Sequence, residues 1–159
     1  MHRVLSSGIV PIFWNLQGPM VLLLRIYGYW DFPKGMVERG EEPLMGAMRE
    51  LREETTLERV EFPWGQDFQE TEPYAQGKVA RYYLGEVVSQ EVRISHEHHE
   101  YRWMRFDEAA RVLSPRVKAV LEWAARRLGV GLATAVVPFK NAVRYRVGGL
   151  PIRRLAKVR

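Results

Sequence analysis

Two apolar, β-branched runs lie near the start of the chain, at residues 4–13 and 21–26, and a polar stretch containing Gly18 and Pro19 separates them. β-branched residues favour strands, whereas glycine and proline favour turns. The pattern therefore predicts an antiparallel hairpin. Similar runs at residues 68–72, 79–88 and 100–106 predict three further strands.

The first predicted helix begins at Pro43. Proline is favoured at a first helical position, and Glu41 and Glu42 just before it suit the positive end of the helix dipole. The apolar residues that follow share one helix face, because they recur at i, i+3, i+4 and i+7. They are Leu44, Ala47, Met48 and Leu51.

A last helix is predicted between Ser114 and Gly129. Ser114 is a good N-cap, Pro115 follows it directly, and Gly129 ends the apolar pattern. Strands, a helix, more strands and a final helix therefore follow one another along the chain. This order predicts an α+β or α/β sandwich, with a mixed β-sheet packed between helices.

The length and composition are those of a single globular domain. The chain has 159 residues, 47% of them hydrophobic and 27% charged, and no cysteine. The lack of cysteine excludes disulfides, thiolate metal sites and a cysteine nucleophile, and it fits a reducing compartment. No apolar run is long enough to span a bilayer. We therefore expect a cytoplasmic protein with no membrane partner.

The net charge of +5 comes from the C-terminal end of the chain, because all 19 acidic residues lie before Gly131. We therefore predict a domain at residues 1–130 and a basic tail at residues 131–159. The tail is either a short appendage or a poorly ordered terminus, and nucleic-acid binding through it stays open. Its cations are Lys140, Arg144, Arg146, Arg153, Arg154, Lys157 and Arg159.

Three carboxylates share one face of the first predicted helix. Glu50, Glu53 and Glu54 stand at i, i+3 and i+4, which 3.6 residues per turn bring together. Like charges so placed repel each other, and a hard cation such as Mg²⁺ is the matched partner for clustered carboxylates. The alternative interpretation is a charged face that is simply solvated.

The segment around this helix resembles the Nudix box, written G-x5-E-x7-R-E-U-x-E-E-x-G-U, where U is apolar. The residues that match are Gly35, Glu41, Arg49, Glu50, Leu51, Glu53, Glu54 and Leu57. Thr56 stands where the box has its last glycine. If the helix ends there with positive φ, Thr56 costs roughly 1 kcal/mol; alternatively it takes a negative φ and the helix ends differently.

The resemblance implies a hydrolase that cleaves phosphoanhydride bonds with Mg²⁺, for which Mn²⁺ is a substitute. It assigns the metal to the Gly35 carbonyl and to the carboxylates of Glu50, Glu53 and Glu54. Arg49 and Glu41 would orient these ligands through a salt bridge. Lys34 would meet a phosphate as a point charge. The number of metal ions and the identity of the general base stay open.

Two further segments, residues 78–87 and 92–113, are similar to the corresponding parts of asymmetrical bis(5′-nucleosyl)-tetraphosphatases, which cleave diadenosine tetraphosphate to ATP and AMP. By this resemblance Glu97 is an additional metal ligand or the base. Tyr82 contacts the substrate, and Lys78 and His96 are counted with it as substrate-binding residues. For Tyr82 the alternative is a core tyrosine, with only one of Tyr82 and Tyr83 pointing inward.

Other functions remain open from the residues alone. The same chemistry on RNA 5′-triphosphate ends, or on another nucleoside-diphosphate-linked substrate, is the nearest alternative, and a non-catalytic nucleotide sensor is a third. The histidines at positions 96, 98 and 99 do not complete the H-E-x-x-H zinc pattern, because Glu100 stands where its second histidine belongs. We interpret them as part of a loop that lines an anion-binding pocket. The oligomeric state is also open.

Overall fold

A computed structural model of the protein describes residues 4–132, 146–147 and 150–151. Its first two strands, β1 (Leu5–Asn15) and β2 (Gly18–Ile26), form the predicted antiparallel hairpin. The other elements up to residue 132 follow in chain order. They are β3 (Tyr29–Asp31), β4 (Lys34–Met36), α1 (Pro43–Thr55), β5 (Val60–Glu61), β6 (Phe68–Glu70), β7 (Val79–Val87), β8 (Glu100–Arg105), α2 (Phe106–Val112) and α3 (Pro115–Leu128).

The eight strands form one mixed sheet around β1. β7 runs parallel to β1 along one edge, from residue 5 to residue 12. The other edge of β1 is shared, because β4 pairs with residues 6–8 and β2 pairs with residues 12–15. β1 and β2 therefore diverge, and β4 enters the gap between them. This pairing sets Gly35 opposite Ser7 and Lys34 opposite Gly8.

Helices cover both faces of the sheet, which confirms the predicted sandwich. On one face the core includes Leu51 of α1 and Tyr83, and on the other it includes Leu121 of α3 and Tyr82. Tyr82 is 0% exposed and Tyr83 is 5% exposed. The expectation that only one of these tyrosines points inward was therefore wrong, because alternate residues of β7 enter two different cores.

Both predicted helices are confirmed at their ends. α1 begins at Pro43, and α3 begins at Pro115 after the N-cap Ser114 and stops at Gly129 with φ 73°. The strand predicted at residues 100–106 is confirmed apart from its last residue, but the helix α2 that follows it was missed. The strand ends at Arg105, whose backbone N–H donates to Oε1 of Glu108 at 3.1 Å and so favours the start of a helix.

Little of the basic tail lies among the described residues. Residues 146–147 and 150–151 form an antiparallel pair, β9 (Arg146–Val147) and β10 (Leu150–Pro151). The remainder of residues 133–159 lies outside the described part, so the division at residue 130 and both interpretations of the tail stay predictions. None of the helices described is long and apolar enough to cross a membrane.

Candidate active site

The carboxylates of α1 face outward because the helix lies on the sheet through its apolar side. Ala47 and Leu51 are both 0% exposed. Gly46 allows α1 to lie close to the preceding loop and to β1. A Cβ added there would stand 2.7 Å from Oε1 of Glu41 and 3.1 Å from Oγ of Ser7. Such contacts are too short for a side chain, so this glycine lets the helix and the preceding loop meet.

Arg49 is the centre of the ion-pair network on this helix. Its Nε and Nη2 donate to the two carboxylate oxygens of Glu41 at 2.8 and 3.0 Å, which confirms the predicted salt bridge. Its Nη1 donates to Glu50 at 2.9 Å and to Glu53 at 3.1 Å. The Arg49 guanidinium lowers the pKa of Glu41 to about 2, so this pair stays charged at physiological pH. The network fixes the loop before α1 on the helix.

The three carboxylates have three different environments. The Glu53 side chain is 54% exposed, that of Glu50 is 14% exposed, and Glu54 is 8% exposed as a whole residue. Burial, followed by the negative charge of Glu50, raises the pKa of Glu54 to about 8. Burial also raises the pKa of Glu50. A solvated charged face therefore describes Glu53 alone.

Backbone groups of β4 lie directly against these acids. The N–H of Lys34 donates to Oε2 of Glu54 at 3.0 Å. A Cβ added to Gly35 would overlap the carboxylate of Glu50, so only glycine leaves room for the acid there. The strand thus brings the backbone of Lys34 and Gly35 to the carboxylates of α1.

The donor set fits a hard cation. Two of the acids are largely buried, and Arg49 supplies the guanidinium that bonds to Glu50 and Glu53. Within the described residues, no three histidine, aspartate or glutamate side chains are placed so that they could hold a metal ion by themselves. Mg²⁺ is commonly held by one or two carboxylates together with water and phosphate oxygens. Gly35, Glu50, Glu53 and Glu54 are the residues that would hold such an ion.

A cleft of about 360 Å³ lies beside this cluster. Its polar lining includes Asp31, Lys34, His98 and Arg116. Nζ of Lys34 lies 3.3 Å from Oδ2 of Asp31, and Nε2 of His98 lies 3.9 Å from Oε1 of Glu54. Burial lowers the pKa of His98, which leaves its imidazole neutral at pH 7. Lys34 therefore connects the carboxylate cluster with the cleft.

The substrate residues expected from the resemblance are not all in this cleft. Tyr82 is fully buried, and its hydroxyl donates to Oδ1 of Asp31 at 2.7 Å, so it supports the cleft wall from inside. Lys78 and His96 are exposed and do not line the cleft, where His98 lies instead. Glu97 is exposed, and its charge contributes to raising the pKa of Glu50.

Asp31 and Arg116 were missed by the sequence reasoning. Asp31 carried a weak signal, since it stands three residues before Lys34 in the segment WDFPKG. Arg116 carried none, because it follows Pro115 at the start of a helix that was interpreted only through its apolar face. Its position in the cleft depends on how α3 packs.

A second cleft of about 630 Å³ lies at the C-terminal end of α1. Its lining includes Thr56, Arg59, Arg93 and Tyr101, and none of the carboxylates of α1. Although this cleft is the larger of the two, the smaller one lies beside the carboxylates of α1, because Lys34 and His98 of its lining lie against Glu54.

The structure therefore places an acidic helix beside a cleft that contains Lys34 and Arg116, on a mixed sheet between helices. The NUDIX domain matches residues 3–124, and the chain belongs to the Nudix hydrolase family. Proteins of this family bind small nucleotide substrates and generally use divalent metal cations.

Known proteins of the family agree with this fold and sequence. The asymmetrical bis(5′-nucleosyl)-tetraphosphatase of Sus scrofa is 37% identical over 127 residues, covering 75% of this chain and 86% of that protein. The Caenorhabditis elegans protein of that name is 30% identical over 117 residues, covering 69% of this chain and 84% of that one. The crystal structure of a C. elegans Ap4A hydrolase binary complex matches with a TM-score of 0.71 and 24% identity. The match covers 79% of this chain and 98% of that one.

Proposed function

We propose that this Nudix hydrolase cleaves dinucleoside polyphosphates with Mg²⁺, and that diadenosine tetraphosphate gives ATP and AMP. The observation that carries the proposal is the continuous path from the carboxylates of α1 through Lys34 into the cleft. The 37% identity to an asymmetrical bis(5′-nucleosyl)-tetraphosphatase supports the choice of substrate. A tetraphosphate chain needs both acids that hold a cation and cations that meet further phosphates.

Different residues would bind the metal, orient its ligands and bind a phosphate. Gly35, Glu50, Glu53 and Glu54 would hold Mg²⁺, which when bound neutralises phosphate oxygens and makes water a better nucleophile. Glu41 fixes Arg49, and Arg49 in turn fixes Glu50 through its hydrogen bond. Lys34 lines the cleft, where a phosphate would compete with Asp31 for its Nζ.

Proton transfer is assigned to the buried acid. A carboxylate whose pKa lies near neutrality is suited to take a proton from water. Burial raises the pKa of Glu54 to about 8 when no cation is bound, and a cation held by the cluster would lower this pKa, so that the carboxylate is ionised and can accept a proton. Its Oε2 accepts the N–H of Lys34, and Oε1, which faces His98, is the oxygen that would take the proton.

The test is incubation of the full chain with diadenosine tetraphosphate and Mg²⁺ in ¹⁸O-labelled water. We expect equimolar ATP and AMP, with the label in AMP, because water attacks a terminal phosphorus of the bridge. Chelation of the metal should abolish turnover, and added Mg²⁺ should restore it. Formation of two ADP molecules, or of no product, would contradict the proposal.

Matched variants locate the chemistry. Glu54→Gln should lower kcat by about 100-fold or more, because it removes a proton acceptor and a metal ligand. Glu58→Gln, an exposed residue just beyond α1, is the control and should keep full activity. Release of pyrophosphate from RNA 5′-triphosphate ends without dinucleotide cleavage would favour the RNA alternative. Tight nucleotide binding without turnover would favour a sensor.

A further inference from the structure

Arg116 is a cleft residue held on an aromatic ring. It is the second residue of α3, and its guanidinium carbon lies 3.6 Å from the centre of the Tyr74 ring. Tyr74 is itself fixed, because its backbone exchanges hydrogen bonds with Lys78 at 2.9 and 2.8 Å across a tight turn. The Arg116 guanidinium therefore lies over the aromatic ring of a residue in this turn.

One hydrogen-bonding nitrogen of Arg116 lacks a partner within the described part of the chain. Its Nη1 is buried and has no hydrogen-bond acceptor among the described residues. A guanidinium offers five N–H donors, and leaving a buried one unpaired is unfavourable. The carboxylate that shares the cleft is already engaged: Asp31 accepts from the Tyr82 hydroxyl and the Phe32 N–H, each at 2.7 Å, and pairs with Lys34.

The charges lining the cleft are unbalanced. Among the described residues that line the cleft, Lys34 and Arg116 are cationic and Asp31 is acidic. Its ion pair with Lys34 leaves the charge of Arg116 for a ligand. A guanidinium matches a phosphate group well, because its planar fork can donate two parallel hydrogen bonds.

We propose that Arg116 binds a phosphate group of the substrate and so favours phosphorylated nucleosides over unphosphorylated ones. The proposal rests on the proposed function. A phosphate chain that starts at Glu54 would meet Lys34 first, because the Lys34 backbone donates to Glu54 and Lys34 also lines the cleft. The cleft volume, at the small end of the roughly 300–1,000 Å³ of ligand pockets, suits one nucleotide unit with its phosphate.

The experiment measures binding of AMP and of adenosine by calorimetry, with Mg²⁺ present and the full chain. Arg116→Gln should weaken AMP binding about tenfold or more and leave adenosine binding unchanged, because adenosine has no phosphate. Arg116→Lys should keep part of the AMP affinity, since a point charge still meets the phosphate. The matched control is Arg126→Gln, an exposed arginine of α3 that does not line the cleft, and it should bind both ligands like the wild type.

Four results would overturn the assignment. Equal losses for adenosine and AMP would mean that Arg116 contacts the base, and unchanged affinities would mean that it contacts neither. A matching loss in Arg126→Gln would indicate general electrostatics, and a wild type that binds no AMP would remove the site. Because binding is measured without turnover, a protein that fails to cleave diadenosine tetraphosphate still tests Arg116. In an active enzyme, Arg116→Gln should raise KM for diadenosine tetraphosphate and leave kcat nearly unchanged.

Discussion

The substitution Thr56→Gly should stabilise the protein. Thr56 ends α1 with φ 66° and ψ 3°, the left-handed conformation, and its backbone N–H donates to the carbonyl of Arg52. This is the position at which the Nudix box has glycine. Thr56 therefore takes the positive φ rather than the negative one, and a β-branched residue occupies a conformation that favours glycine.

The expected gain follows from the contacts of the side chain. A left-handed conformation costs an L-residue roughly 1–2 kcal/mol relative to its preferred backbone. Glycine forgoes the hydrogen bond from Oγ1 of Thr56 to the Thr55 carbonyl, which measures 2.6 Å and belongs to an exposed residue. It also adds freedom to the unfolded chain. We expect a net increase of about 0.5–1 kcal/mol in the free energy of unfolding.

The assay is reversible urea unfolding of wild type, Thr56→Gly and Thr56→Ala under one condition, with thermal unfolding as a second measure. For a chain of this size the gain corresponds to a rise in Tm of roughly 1–4 °C. Alanine is the control, because it removes the hydroxyl but keeps the Cβ that makes positive φ costly. A glycine variant no more stable than the alanine variant would refute the reasoning.

Two further predictions concern the acids. Gly35→Ala places a Cβ on the Glu50 carboxylate, so hydrolytic activity should fall by at least tenfold. The control Gly131→Ala, with open space around its Cβ, should leave the activity unchanged. Equal activities of the two variants would show that the overlap at Gly35 has no effect. In EDTA, the free energy of unfolding should decrease as the pH rises from about 4.5 towards 8. Over this range the folded chain keeps the proton on Glu54, up to a pKa of about 8, whereas the unfolded chain has already lost it. Urea unfolding of wild type and Glu54→Gln across this range tests it, since the variant should lack that decrease.

Much of the fold was predictable because its signals are local. The limits of α1 and α3 follow from Pro43, Pro115 and Gly129, whose backbone preferences act within one turn of helix. The ion pair of Glu41 with Arg49 was predictable from the box. The start of α2 was missed, although Glu108, three residues after Arg105, is the kind of signal that marks a helix start.

The substrate residues were predicted less well than the helices. Alternation along β7 separates Tyr82 from Tyr83, but it does not show that both faces of the sheet are covered. The loop that contains His96 and His98 has no period from which to tell which imidazole turns inward. Only the packed structure places His98, and not His96, in the cleft.

The sequence by itself determined the set of candidate metal ligands, because helix geometry alone brings Glu50, Glu53 and Glu54 to one face. The tertiary structure decided how each acid behaves. It buries Glu54 under the backbone of Lys34, leaves Glu53 in water and brings Arg116 from α3 to the same cleft as Lys34. The physical reason is that spacing is a property of neighbouring residues, whereas burial and the resulting pKa values depend on elements distant in the chain.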